Sequence, residues 1–146
     1  MQIHASCIEL AGAGILLRGP SGSGKSDLAL RLIDGGARLV ADDRTDLKVE
    51  NGGLIASAPA PIAGKLEIRG IGIMTLPSVA RSRLGLAVDL VDAASVERLP
   101  LSQRCSYLGV DLPLIAVAPF EASAPAKLRA AVRALATGRR LDSVTA

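Results

Sequence analysis

The sequence predicts a strand-rich α/β domain in which a phosphate-binding loop joins a strand to a helix. Residues 19–26 are Gly-Pro-Ser-Gly-Ser-Gly-Lys-Ser, which fits the pattern G-x-x-x-x-G-K-S at every specified position. An apolar run at residues 15–17 precedes this octapeptide, and a helical pattern that begins at Ser26 follows it. Because a strand before the loop and a helix after it are the context that the motif requires, the chain is predicted to bind the phosphates of a nucleotide.

The segments on either side of the loop have clear patterns of their own. Residues 3–10 alternate loosely between apolar and polar side chains, which indicates a first strand that lies beside the phosphate-loop strand. Residues 11–14, Ala-Gly-Ala-Gly, are predicted to turn the chain between these two strands. After the loop, Gly35-Gly36 is typical of the end of a helix. Four apolar residues recur at a spacing of four and predict the buried face of that helix: Leu28, Ala29, Leu32 and Ile33.

The short apolar stretch 38–41 predicts the strand that completes a βαβ unit. Beyond it the pattern becomes rich in strands. Residues 47–50 and 54–56 flank Asn51-Gly52-Gly53, which is typical of a tight hairpin. Further strands are predicted at residues 65–69, 83–91 and 114–118.

A last helix is predicted to begin at Ser123, with Pro125 in its first turn, and to end at Gly138. Its apolar face consists of Leu128, Val132 and Leu135. The tail from Arg139 onward is expected to be frayed.

The composition limits the classes of function. The 146 residues carry a net charge of +3, and the basic residues are scattered, so no nucleic-acid surface is predicted. Tyr107 and Phe120 are the only aromatic residues, which argues against the stacking platform of a single-strand nucleic-acid binder. Cys7 and Cys105 are too few for a disulfide framework or a structural zinc site. Since neither a signal peptide nor a membrane-spanning apolar stretch is found, a single cytoplasmic domain with no membrane partner is predicted.

Two adjacent acidic residues, Asp42 and Asp43, follow the strand at 38–41. Ligands bind at the carboxyl edge of an open α/β sheet, so these side chains are candidates for the site. The side chains of consecutive strand residues point to opposite faces. One carboxylate could therefore bind Mg²⁺ while the other accepts a proton from an attacking hydroxyl. Which of the two is the base stays open, and a structural Asp-Asp turn is the alternative interpretation.

The other charged candidates have weaker local signals. His4 is the only histidine, and a lone histidine is more often a packed or solvent-facing residue than a catalytic one. Glu67 and Arg69 share one face of their predicted strand and could form a simple exposed charge pair. Arg98 has no local signal that separates it from a solvated surface arginine.

Taken together, these residues resemble the bacterial HPr kinase/phosphorylase family, specifically its C-terminal catalytic domain. The resemblance covers roughly residues 2–119 and places His4 at the position of the family's catalytic histidine. The segments that carry it are 19–26, Arg-Leu-Val-Ala-Asp-Asp at 38–43, Leu-Glu-Ile-Arg-Gly-Ile-Gly-Ile at 66–73, the strand 86–90 and Glu97-Arg98-Leu99.

The resemblance implies an HPr kinase-type P-loop domain over residues 1–146, with a βαβ core, additional antiparallel strands and a C-terminal helix. It implies the short form without a separate N-terminal domain. The implied reaction is ATP- and Mg²⁺-dependent phosphorylation of a serine of HPr, the phosphocarrier protein of the sugar phosphotransferase system. The implied assembly is a homo-oligomer, a hexamer in the family.

The resemblance also implies roles for individual residues. The catalytic set is His4, Lys25, Asp43 and Arg98. The metal-binding set is Ser26, Glu67 and Asp42. The nucleotide-binding set is the loop itself: Gly19, Ser21, Gly22, Ser23, Gly24, Lys25 and Ser26.

One segment departs from the family pattern, and two other functions stay open. Residues 118–123, Ala-Pro-Phe-Glu-Ala-Ser, lack the basic residues and glycine that the family carries there, so the reverse phosphorolysis is expected to be weak. The first alternative is a small-molecule P-loop kinase of the shikimate or nucleoside-monophosphate type, although these alternate strands and helices more regularly. The second alternative is a nucleotide-binding regulator without turnover.

Overall fold

The computed structural model of the protein describes residues 1–138. The expected frayed tail from Arg139 lies outside these residues. The described part of the chain contains eleven strands, two α-helices and two single 3₁₀ turns, Ala60–Ile62 and Ala93–Ser95. In chain order the strands and α-helices are β1 (Gln2–His4), β2 (Ser6–Leu10), β3 (Ala13–Arg18), α1 (Lys25–Asp34), β4 (Arg38–Ala41), β5 (Arg44–Glu50), β6 (Gly53–Ser57), β7 (Lys65–Ile68), β8 (Gly72–Thr75), β9 (Arg81–Leu90), β10 (Gln103–Tyr107), β11 (Val110–Val117) and α2 (Ala124–Ala136).

The long strand β9 organises the main sheet. On one side it pairs in parallel with β3, the strand that leads into the phosphate loop. On its other side, residues 81–83 pair antiparallel with β6, whereas residues 87–90 pair in parallel with β11. The path of paired strands is β1-β5-β6-β9-β3-β2-β4, and β11 with β10 branches from β9. The carboxyl ends of β3, β9 and β11 therefore meet at one edge of the sheet.

The predicted βαβ unit forms, with an extra strand inside it. The strands β3 and β4 are each antiparallel to β2, which lies between them, so they run parallel to each other. The helix α1 connects them and ends where predicted, at Gly35. The predicted α/β class, with additional antiparallel strands and a C-terminal helix, agrees with this architecture.

The single strand expected at residues 3–10 is wrong, because the chain changes partners at Ala5. Before it, β1 pairs with β5, and after it β2 pairs with β3 and β4. Ala5 is fully buried, and its carbonyl accepts a hydrogen bond from Thr45 Oγ1 at 2.8 Å, which holds the junction in place. His4 consequently lies beside β5 and not beside the phosphate-loop strand.

Two hydrophobic cores lie on opposite faces of the central strands. One lies beneath α1 and α2 and contains Leu17, Leu86 and Leu128, while the other contains Leu16 and Ala87. Neighbouring residues of β3 and β9 thus enter different cores, since side chains alternate between the faces of a strand. The predicted face of α2 agrees with this packing: Leu128 and Val132 are buried, and Leu135 is half-buried.

The remaining hairpins were only partly predicted. The predicted turn at Asn51-Gly52 joins β5 to β6, and both residues have positive φ, 50° and 75°. The strand expected at 65–69 is β7, which pairs with β8 apart from the main sheet. The strands β8 and β10 were not predicted. Within residues 1–138, no helix is long and apolar enough to cross a membrane.

Candidate functional site

The phosphate loop lies at the sheet edge between β3 and α1. Gly22 and Gly24 have φ of 82° and 100°, a left-handed conformation that glycine adopts without strain. Gly24 is the N-cap of α1, so the free N–H groups of the helix start at the loop. Ser23 Oγ is buried and has no hydrogen-bond partner in the described part of the chain. This arrangement supplies N–H and O–H donors to an anion.

Lys25, the first residue of α1, carries a buried positive charge. Its side chain is only 7% exposed, and Nζ donates to the carbonyl oxygens of Gly19 at 2.7 Å and of Pro20 at 3.0 Å. Among the described residues, no carboxylate forms a salt bridge with this ammonium. A buried charge without a counter-charge favours the binding of an anion, and the helix dipole of α1 adds to this preference.

Asp42 joins three segments of the chain. Ser26 Oγ donates to Asp42 Oδ1 at 2.7 Å, and Ser6 Oγ donates to the same oxygen at 2.9 Å. Ser6 Oγ in turn accepts the backbone N–H of Asp43 at 3.0 Å. The hydroxyl of Ser26 and the half-buried carboxylate of Asp42 form a pair of hard oxygen donors next to the loop. Such a pair fits Mg²⁺, which is held in nucleotide sites by one or two protein groups together with phosphate oxygens and water.

Asp43 differs from Asp42 in backbone and exposure. It lies beyond the end of β4 with φ of 66°, and it is exposed. The argument that the pair divides by strand phase is therefore wrong, because neither aspartate belongs to the strand. The difference that the structure provides is chemical: Asp42 accepts two hydroxyl groups, whereas Asp43 presents its carboxylate to solvent.

Within residues 1–138, no hydrogen bond or salt bridge joins the other expected residues to Asp42 or Asp43. His4 is exposed and is the register partner of Arg44, the residue after Asp43. Arg98 is exposed in the irregular stretch after the 3₁₀ turn at 93–95, and Glu67 is exposed on β7. No group of three or more His, Cys, Asp and Glu side chains in the described ranges is arranged to hold a metal ion. The roles expected of His4, Glu67 and Arg98 stay predictions.

A cleft of about 720 Å³ lies beside the loop. Residues 20–23 line one side, and the other side is lined by Leu90 at the end of β9 and by residues that follow β9 and β11: Val91, Asp92, Ala93, Ser95 and 118–121. Asp92 and Ser95 were not predicted from the sequence as site residues. The topology of the sheet would have identified them. Both residues follow β9, which is parallel to β3 and ends at the same edge of the sheet.

Arg18, the last residue of β3, anchors the start of the loop. Its Nε and Nη2 atoms donate to the two carboxylate oxygens of Asp89 on β9 at 2.7 and 3.0 Å, and Nη1 donates to the Tyr107 hydroxyl at 3.0 Å. These bonds, the one to Asp89 above all, raise the pKa of Arg18. The guanidinium therefore stays charged and links the residue before Gly19 to its neighbour β9 and to β10.

We expect Arg18→Ala to weaken several-fold the binding of ATP, the ligand predicted for the loop, and to lower the free energy of unfolding by about 1 kcal/mol, since the Arg18–Asp89 pair is partly exposed. Calorimetric titration and urea unfolding measure the two effects. Arg81→Ala is the matched control, because Arg81 forms a 2.7 Å ion pair with Glu50 at the opposite end of β9. Arg18→Ala with lowered stability and unchanged ATP affinity would show that the network does not position the loop.

The comparisons with known proteins agree with one another. The sequence matches the family model described as "HPr Serine kinase C-terminal domain" over residues 1–137. The HPr kinase/phosphorylase of Clostridium tetani is 49% identical over 111 residues, which are 75% of this chain and 36% of that protein. The HPr kinase/phosphorylase of Caldanaerobacter subterraneus is 38% identical over 129 residues, 80% of this chain and 42% of that protein. This chain thus spans less than half of either relative.

A solved structure shows the same fold. The Hpr(Ser) kinase/phosphatase from Coxiella burnetii superposes with a TM-score of 0.84 at 32% sequence identity. The superposition covers 94% of this chain and 92% of that one.

Proposed function

Because the chain belongs to the HPr serine kinase C-terminal domain family, we propose that it transfers the γ-phosphoryl group of ATP to a serine hydroxyl of HPr. The names of its relatives support this proposal. The observation that carries it is the buried Lys25 ammonium, without a carboxylate partner among the described residues, beside the bonded pair Ser26 and Asp42. The proposed phosphate site and the proposed metal site therefore lie next to each other in the chain, at Lys25 and Ser26.

In the proposed mechanism the loop N–H groups and Lys25 bind the triphosphate. The Lys25 ammonium turns its donors from the carbonyls of Gly19 and Pro20 to phosphate oxygens. Asp43 accepts the proton of the serine hydroxyl while the serine oxygen forms a bond to the γ-phosphorus of ATP. The bond between the γ-phosphorus and the oxygen that bridges it to the β-phosphate breaks, and ADP leaves. Most of the rate gain comes from positioning and from charge neutralisation.

The residues proposed to hold Mg²⁺ are Ser26 and Asp42, with Glu67 as a third. When bound, Mg²⁺ neutralises charge on the phosphates. His4 and Arg98 are proposed to complete the site as a polar and a cationic group. We propose a cytoplasmic homo-oligomer, a hexamer by family resemblance, with HPr as its protein partner.

Release of ADP from Mg-ATP separates this function from its alternatives. The enzyme is incubated alone, with HPr, with shikimate and with nucleoside monophosphates. The proposal predicts stoichiometric ADP release with HPr and little in the other reactions. Release that depends on a small molecule would indicate a small-molecule kinase, and ATP binding without turnover would indicate a regulator.

We expect phosphorolysis of serine-phosphorylated HPr to be at least about tenfold slower than the forward reaction. Repulsion between the two bound anions that raises the activation free energy by about 1.4 kcal/mol is sufficient for a tenfold lower rate. Inorganic phosphate and the phosphoserine are both anions, so the pocket needs added positive charge. Near the loop, Glu121 is negative, and it pairs with Lys127 at 3.0 Å. Pyrophosphate release measures the reverse rate.

Glu121→Gln is the informative variant for this prediction. It removes the negative charge and frees the Lys127 ammonium, so we expect faster phosphorolysis with little change in the forward rate. The paired variant Lys127→Gln should not accelerate the reverse reaction. Comparable forward and reverse rates in the wild-type enzyme would refute the prediction.

A further inference from the structure

The side chain of Phe120 is exposed to solvent, and its ring packs against the phosphate loop. Its side chain is 70% exposed, although Ala118 and Pro119 before it are buried. The ring lies against Gly24, because a methyl group built on that glycine would be 2.9 Å from the ring atom Cζ. An exposed aromatic ring in contact with the loop is unusual in a chain that has only one other aromatic residue.

The backbone on both sides of Phe120 is held by α1. The guanidinium of Arg31 donates to the carbonyl oxygen of Pro119 and to that of Glu121, the latter at 3.4 Å. Arg31 is itself held by Asp27, one turn earlier in the helix, at 3.0 Å. The ring is therefore presented by an ordered segment, and a ligand that packs on it has a smaller entropy cost than it would on a free loop.

The cleft beside the loop has room for more than phosphates. Its volume of about 720 Å³ lies in the range that small-molecule sites occupy. Leu90, Ala93 and Phe120 give it an apolar surface, and the phosphate loop forms its other wall. The base of a nucleoside triphosphate gains affinity when it stacks on an aromatic ring, and Phe120 presents a ring to this cleft.

We propose that the Phe120 ring stacks on the base of the bound nucleoside triphosphate, in the cleft between residues 20–23 and 90–95. This inference rests on the proposed function for the identity of the donor as a nucleoside triphosphate. It adds a residue that determines affinity for the nucleoside half of the ligand, whereas the loop binds the phosphate half.

The test compares ATP with inorganic tripolyphosphate, which has no base. Calorimetric titration of Phe120→Ala should show ATP affinity lowered about tenfold, the lower part of the range for one stacked base, with tripolyphosphate affinity within about twofold. Phe120→Leu retains an apolar contact with Gly24 and should show the same selective loss. Leu101→Ala is the control, because Leu101 is 71% exposed and is not part of the cleft lining.

A second readout uses the absence of tryptophan from the sequence. In Phe120→Trp the indole is the only tryptophan, and stacking of a base on it should quench its fluorescence with ATP but not with tripolyphosphate. Unchanged ATP affinity in Phe120→Ala and Phe120→Leu, or an equal loss for both ligands, would overturn the proposal. If the Phe120 variants change only the KM for HPr and leave ATP affinity unchanged, the ring contacts the protein substrate, and the stacking proposal is overturned as well.

These outcomes are distinct from failure of the proposed function. If the selective loss is found but HPr is not phosphorylated, the stacking holds and the substrate assignment fails. If HPr is phosphorylated and Phe120→Ala binds ATP as the wild-type enzyme does, only the stacking fails.

Discussion

Replacing Lys25 with alanine is expected to abolish phosphoryl transfer to HPr, with a loss of at least about 10²- to 10³-fold, the range found when one preorganised donor to developing charge is removed. Among the described residues, the Nζ atom forms hydrogen bonds only with the carbonyls of Gly19 and Pro20, and Lys25 belongs to neither hydrophobic core. Because the variant removes a buried charge that lacks a carboxylate partner, the free energy of unfolding should not decrease. Single-turnover transfer and urea unfolding measure the two quantities.

Lys25→Met separates charge from volume, because methionine fills similar space without an ammonium group. It should lose transfer as fully as Lys25→Ala does. Lys48→Ala removes an exposed lysine of β5 and controls for a nonspecific effect of net charge. Transfer at the wild-type rate in Lys25→Met would refute the assignment of this loop as the phosphate-binding centre.

Asp43→Asn is expected to lower the transfer rate by about 10²- to 10⁴-fold, as removal of a general base does, with ATP affinity little changed. Asparagine tolerates the left-handed backbone at φ of 66°, so the variant changes the proton acceptor without adding strain. Asp42→Asn is the matched variant. Its amide oxygen still accepts the hydroxyls of Ser6 and Ser26, but it has no charge, so the Mg²⁺ concentration for half-maximal activity should rise.

The distinction between the aspartates is tested by the pattern of both variants. Measurements of transfer rate and of the Mg²⁺ requirement are made on each. If Asp42→Asn loses the rate at saturating Mg²⁺ while Asp43→Asn changes only the Mg²⁺ requirement, the two roles are the reverse of those proposed.

The features that local patterns specify were predicted well. The loop, α1, the turn at Asn51-Gly52 and α2 follow from short motifs and from apolar periodicity, and the structure has all of them. The family assignment that these motifs suggested is confirmed by the match over residues 1–137. These elements depend on residues that are close in the sequence, so a local pattern is sufficient to identify them.

The features that depend on long-range pairing were missed. The loose alternation at residues 3–10 gives no sign of a break at Ala5, where the pairing partner changes from β5 to β3 and β4. The backbone turn at Asp43 and the position of Phe120 on Gly24 are likewise set by packing against distant segments. The single catalytic domain over residues 1–146, the hexamer, and the roles of His4, Glu67 and Arg98 stay predictions.

The most direct test of the proposed function is the intact mass of HPr after incubation with this protein and Mg-ATP, followed by fragmentation to locate the modification. The proposal predicts one added phosphoryl group on a serine of HPr with the wild-type enzyme and none with Lys25→Met. Unmodified HPr, at enzyme and ATP concentrations where calorimetry shows that the nucleotide is bound, would contradict it.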